Sequence, residues 1–199
     1  MALKKHGITS ETVKKLVLGA GVIYKNLKYA DNDWSGTVLG ATSGGIKFNW
    51  EAQWLDIEVD GATVLVKGVS KQKVGESVSI EGQMTELTED ILVTAMHLTE
   101  TTSEYSGYKK FVSKQNVSED DYLENIAYVG TLSSGKNIII ILPNAICTEA
   151  FKLETKNAEQ TTFSVKFECT ADIANDTLDK LDIEIYYPND GTQEVNNNG

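Results

Sequence analysis

The chain has 199 residues, of which 41% are hydrophobic and 24% charged, enough for one domain with a real core. Its formal charge is −11, all 18 basic residues are Lys, and Arg is absent. Arg supplies the planar fork that grips phosphates and base edges, so this composition argues against a surface built to hold nucleic acid.

The charge is lopsided. Residues 1–100 carry 10 Lys and 13 acids; residues 101–199 carry 8 Lys and 16 acids. After a polar leader, MALKKHGITSETV, the apolar stretch LVLGAGVIY (16–24) lacks a small-residue cleavage site and reads as a strand, not a signal peptide. No run approaches the ~20 apolar residues of a membrane helix, so a cytoplasmic protein with no membrane partner is expected.

Most of the chain reads as strand. KLVLGAGVIYKN (15–26) is apolar, with two glycines that suit close approach. KYADNDWSG (28–36) is turn-rich, and TVLGATSGG (37–45) is a short strand with a Gly-rich bend. IKFNWEAQW (46–54) alternates strictly. Ile46, Phe48, Trp50, Ala52 and Trp54 take one face; Lys47, Asn49, Glu51 and Gln53 take the other. LDIEV continues it, Asp60-Gly61 predicts a type I′ hairpin turn, and TVLVKGV (63–69) is expected to return as a strand. KQKVGESVSIEGQMTEL (71–87) is a further alternating strand.

One helix is expected at about 88–98, with Thr88 as N-cap, Glu89 and Asp90 in the first turn, and an apolar stripe through Ile91, Leu92, Ala95, Met96 and Leu98. Residues 99–121 are polar and read as an insertion or long loop. NIAYVGTL (125–132), KNIIIILPNAICTEAFKLET (136–155), TTFSVKFECTAD (161–172) and LDIEIYYP (181–188) are strand-like, and 189–199 reads as a flexible tail. The sum is about ten strands and one or two helices: a mainly β sandwich or barrel with one flanking helix, a single domain over 1–188.

Chemical motifs are weak. GTLSSGKN (130–137) resembles a phosphate-binding loop, but Asn137 stands where a hydroxyl must hold magnesium. The β-branched run that follows forms a strand, so Ser133–Lys136 is read as a hairpin turn. His6 and His97 are the only histidines, and DNDWSG (31–36) has Thr42 where a calcium loop needs Glu, so no metal or cofactor is expected. His97 is expected to meet the last carbonyls of the helix. Cys147 and Cys169 lack CxxC spacing and read as free buried thiols. Asp56, Glu58 and Asp60 share one strand face in this reading, but two carboxylates on one strand do not straddle a glycosidic bond, and no nucleophile–base set emerges from two histidines. No catalytic residue is assigned. Phe48, Trp50 and Trp54 read as core, with a carbohydrate platform as the rival.

The ordered stretches LVLGAGVIYKN, GTVLGATSGGIKFNWE, LDIEVDGATVLVKG, LTEDIL and LDKLDIEIYYP resemble the major tail tube proteins of long-tailed bacteriophages and related tail-like particles. The resemblance spans residues 15–98 and, more loosely, 122–188. It implies a β-sandwich-like subunit with a flanking helix, six of which form a ring lined by a continuous β-barrel. Rings stack into a tube around a tape-measure protein, capped by tail-tip and terminator proteins, and the negatively charged lumen conducts DNA during ejection without specific binding. The implied place is the virion tail, and the host cytoplasm during assembly. On this view Lys47, Asn49, Glu51, Gln53, Ser77, Ser79, Glu81 and Gln83 face the lumen. Asp56, Glu58, Asp60, Lys67, Lys71 and Lys73 serve a ring or subunit interface. The alternative is a β-sandwich carbohydrate-binding or host-adhesion module of a tail tip, using Trp50 and Trp54.

Overall fold

A computed structural model describes residues 6–9, 11–175 and 178–189; the tail expected at 189–199 lies, past Asn189, outside the described residues. The fold is mainly β, with ten strands among those residues. A short helix α1 (Thr12–Lys15) precedes β1 (Val17–Ala30) and β2 (Asp33–Val38). The turn between these strands uses Asp31 and Asn32, both at positive φ (53° and 64°), as a two-residue primed turn requires. The segment 28–36 is thus mostly strand around a tight turn. β3 (Thr42–Asp56) and β4 (Lys71–Met84) form the longest hairpin, followed by α2 (Glu89–Thr94) and β5 (Leu98–Thr101). Then come β6 (Lys110–Ser113), a 3-10 turn (Glu119–Asp121), β7 (Leu123–Leu132), β8 (Asn137–Cys147), β9 (Phe163–Cys169) and β10 (Glu184–Tyr186).

Eight strands make one antiparallel sheet in the order β2-β1-β7-β8-β9-β4-β3, with β10 on β8. β8 is the hub. It pairs β7 along most of its length, β10 at Ile139–Ile141 and β9 at Ala145–Cys147. Its run Ile139–Leu142 is buried on both faces: Ile140 and Leu142 enter the main core, Ile139 and Ile141 a second cluster with Leu27 and Ala127. The main core joins Ile23 of β1 to Val78, Ile80 and Met84 of β4, Val165 and Phe167 of β9, and Ile91 of α2. The sheet therefore curls so that β1 faces β4. Gly82 permits this approach, since a Cβ there would stand 3.2 Å from Ile23 Cδ1.

α2 is shorter than the apolar stripe implies. Thr88 caps it, its Oγ1 accepting from Ile91 N at 3.2 Å. The helix ends at Thr94, and His97 takes a left-handed φ of 51° that turns the chain into β5. Leu98 therefore begins a strand, and His97 Nε2 bonds the carbonyl of Cys147, not a helix carbonyl. Within 99–121 the chain forms the β5–β6 hairpin, tied to α2 by Lys109–Glu89, and Lys114 pairs with the buried carboxylate of Asp121. The turn at 133–136 closes as expected: Leu132 N donates to Lys136 O and Gly135 N to Leu132 O, both at 2.8 Å, and β8 follows directly.

Candidate functional site

The β3–β4 register brings the eight polar positions onto one face. Lys47 lies opposite Glu81, Asn49 opposite Ser79, Glu51 opposite Ser77, and Gln53 opposite Gly75. Ile46, Phe48, Val78 and Ile80 take the other face, as a period of two demands. β9 extends the polar face: Ser164 pairs Gln83, Lys166 pairs Glu81, and Glu168 pairs Ser79. The face is knitted by side chains. Asn49 Nδ2 donates to Glu81 Oε1 at 2.9 Å, Gln83 Nε2 to Ser164 Oγ at 2.7 Å, and Lys166 Nζ sits 2.6 Å from Glu168. That Glu168 carboxylate holds the Lys166 ammonium above its usual range. Four carboxylates (Glu51, Glu81, Glu149, Glu168) meet two ammonium groups (Lys47, Lys166), so the face carries a net negative charge. Ser164, Lys166 and Glu168 are not among the positions that the sequence points to. The alternation FSVKFEC carries the signal for a polar face; nothing in it tells that this strand lies beside β4.

The charged residues expected at an interface divide into two groups. Asp56, Lys71 and Lys73 stand on the ladder, where Lys71 pairs with Asp56 across the last rung and Lys73 lies 2.5 Å from Glu76. Glu58, Asp60 and Lys67 do not stand on strands, because β3 ends at Asp56 and the chain from 57 to 70 is a loop. The expected 63–69 strand is absent, and Asp60-Gly61 sits in a turn closed by Ala62 N donating to Val59 O at 3.0 Å. Strands here would have no sheet to cover their apolar side chains. Val64 and Leu65 are 75% and 74% exposed. Among the described residues Glu58, Asp60 and Lys67 make no ion pair.

The aromatic strand departs from its core reading. Phe48 packs against the core, but Trp50 and Trp54 are 49% and 57% exposed, because β3 runs past the point where β9 and β1 can cover it. Lys73 Nζ sits 5.4 Å above the Trp50 ring. Trp50 Nε1 donates to Glu76 Oε2 at 2.9 Å, and Leu181 N donates to Glu76 Oε1 at 2.9 Å. With Lys73 foremost, these donors hold the Glu76 carboxyl down at about 2. A second aromatic group is made by Trp34, which touches Tyr29 and Tyr186 with ring centroids at 5.1 and 4.9 Å. Tyr29 and Trp34 face each other across the β1–β2 hairpin, and Tyr186 of β10 is the member brought in from a distant part of the sequence.

Both cysteines are buried free thiols, and burial pushes Cys169 up to about 12, far from a reactive thiolate. Among the described residues no group of His, Cys, Asp or Glu is arranged to hold a metal ion, and no helix is long and apolar enough to cross a membrane.

No family model matches the chain, and no curated protein matches it. Among solved structures it is similar to the tail of an empty gene transfer agent particle refined with six-fold helical symmetry, at 11% identity and a TM-score of 0.42, over 77% of this chain and 92% of that one. It is similar to a chain in the virion of the native gene transfer agent at 11% identity and a TM-score of 0.39, over the same shares. The third similar structure is the six-fold symmetrised baseplate of the anti-feeding prophage, at 8% identity and a TM-score of 0.41, over 76% of this chain and 89% of that one.

Proposed function

We propose that this chain is a non-enzymatic structural subunit of a phage tail tube, one that associates with itself into stacked six-membered rings. The observation that carries the reading is β3. It is 15 residues long, stands at the end of the sheet order with one edge unpaired, and shares with β4 and β9 a wide polar face. An uncovered edge of that length invites a further strand, and an identical copy is the simplest supplier. The sequence resemblance over 15–98 supports the same assignment.

In this reading Lys47, Asn49, Glu51, Gln53, Ser77, Ser79, Glu81 and Gln83, joined by Ser164, Lys166 and Glu168, line the channel. The charge of that face matters, because carboxylates outnumber ammonium groups on it and the lumen is negatively charged. A wall of fixed amides and paired ions offers DNA neither an Arg fork nor a run of free cations, so the duplex passes without being gripped. Any net repulsion acts within the ~8 Å Debye length of the wall. The loop 57–70, with Asp56, Glu58, Asp60, Lys67, Lys71 and Lys73 around its exposed Val64 and Leu65, reaches the next subunit or ring. Tape-measure, tail-tip and terminator proteins are the further partners, and the virion tail, after assembly in the host cytoplasm, is the location.

A carbohydrate-binding or host-adhesion module of a tail tip is the second reading, favoured by the exposure of Trp50 and Trp54. Two measurements decide. Sedimentation and negative-stain microscopy of the purified chain are expected to show rings or tubes at high concentration or on a tail-tip template; a strict monomer under both conditions overturns the tube. Tryptophan quenching by one glycan of a panel, in a chain that stays monomeric, establishes the module instead.

A further inference from the structure

We infer that Glu76 is a latch: by tying the outer arm of the β3–β4 hairpin to the segment that enters β10, it sets the direction in which that arm leaves the sheet. β9 pairs β4 from Ser79 to Met84. Outward of Ser79 the hairpin has no third strand, and a two-stranded ribbon alone is marginal in water. The ladder also slips there. Gln53 pairs Gly75 and Trp54 pairs Lys73, leaving Val74 as an extra residue on β4. Such a bulge bends and twists the ribbon, which makes this the natural hinge.

Glu76 sits at that hinge with its side chain 5% exposed, and its carboxylate collects donors from three separate segments. Trp50 Nε1 comes from β3, Lys73 Nζ from the far side of the bulge, and Leu181 N from a segment 105 residues away in sequence. Of these, the Leu181 bond reaches outside the ribbon. A carboxylate is suited to the task, because each of its oxygens can accept more than one charge-assisted bond in a fixed plane. Its acidity, far below neutral, keeps the latch charged and closed under ordinary conditions. On the tube reading, a fixed arm presents Val64 and Leu65 to the neighbouring copy in one pose, and ordering it beforehand removes an entropic cost from docking. That consequence rests on the tube reading; the latch does not.

Hydrogen exchange on the full chain, at dilutions where it is monomeric, tests the latch without any assembly step. In Glu76→Gln the amides of Leu181, of residues 54–57 and of 70–73 are expected to exchange about tenfold faster, while Ile80 and Phe167 keep their protection. Outer-arm amides that exchange as in the wild type overturn the proposal, whether or not Leu181 loosens. If Glu76→Gln loses core protection as well, Trp50→Phe, which removes one donor and little volume, decides. About two- to threefold faster exchange confined to the outer arm supports the latch, and none overturns it. A chain with an intact latch that never forms rings sinks the tube reading alone.

Discussion

The side-chain amide of Asn125 bonds Leu27 as a strand backbone would. Leu27 N donates to Asn125 Oδ1 at 2.8 Å, and Asn125 Nδ2 donates to Leu27 O at 3.1 Å. The need arises because Asn26 takes a φ of 53° and the β1–β2 register shifts between Lys25 and Lys28. β1 pairs β7 through Lys25 opposite Ile126, and beyond that point the backbone of Leu27 has lost its ladder partner. An amide is the side chain that offers donor and acceptor together. Asn125→Leu leaves both groups of the buried Leu27 unpaired and is expected to cost about 1–3 kcal/mol. The check is a urea midpoint that falls with an unchanged slope; a midpoint equal to the wild type refutes the role.

Tyr128 lies where two glycines leave room. A Cβ at Gly21 would stand 2.2 Å from Tyr128 Cε2, and one at Gly130 would stand 2.3 Å from Tyr128 Oη. Gly130→Ala is therefore expected to cost about 1–3 kcal/mol through overpacking. Gly130→Ala combined with Tyr128→Ala should cost less than the two changes separately, since the ring that clashes is gone. Strict additivity in this double-mutant cycle would place the strain elsewhere.

Much of this was legible in the sequence where a period of two ran long enough. The polar face of β3 and β4 follows from IKFNWEAQW and ESVSIEGQM, and Thr88 announced the helix start. What failed had a common cause. Residues 57–70 have strand-like composition, but composition cannot reveal that the sheet ends at Asp56. Trp50 and Trp54 look like core residues to any local rule, and only the extent of β9 decides that they are bare. The helix end is illegible because Ala95, Met96 and Leu98 prolong the apolar stripe up to and past the left-handed turn at His97. The pairing of β9 with β4, and of β10 with β8, is a long-range fact that no window of sequence contains.

Acid should weaken the fold through two carboxylates. Glu76 is held at about 2 instead of 4.5, with Lys73 as first cause. Asp121 is pushed up by burial, but its bonds from Lys114 and Ser118 outweigh this, and its value is lowered. For groups with lowered folded values, the stabilisation is fully present above the unfolded value and is lost as pH falls through the folded one. Stability should therefore be flat from neutral pH to about 5 and decline below about 4.5. In Glu76→Gln the decline should be shallower, starting from a lower plateau. Wild-type and variant profiles of equal steepness would remove Glu76 from the account.

On the tube reading, the polar face of β3, β4 and β9 offers a test of orientation. Glu51→Lys with Glu81→Lys reverses two carboxylates on the wall while touching no core residue. The Asn49–Glu81 bond is lost, but it is exposed and of small worth. Rings and tubes should form, and DNA delivery by the parent particle should fall, because free ammonium groups would now hold phosphates. Undiminished delivery would overturn the assignment of this face to the lumen.

The exposed tip should matter to association and not to folding. Val64 and Leu65 cover nothing in the isolated chain, so Val64→Asp with Leu65→Asp is expected to leave the unfolding midpoint within about 0.5 kcal/mol of wild type. On the tube reading, the same two side chains are buried against a neighbouring copy in the assembly. Two carboxylates placed there would have to be desolvated with no partner supplied, which costs several kcal/mol at each contact. The contact repeats around every ring, so even a modest penalty per copy is multiplied across the assembly. The double variant should then remain monomeric, or stop at single rings, at concentrations where the wild type grows tubes. Tubes that grow at the wild-type rate would show that the 57–70 loop faces solvent in the assembled state and that the stacking contact lies elsewhere on the sheet.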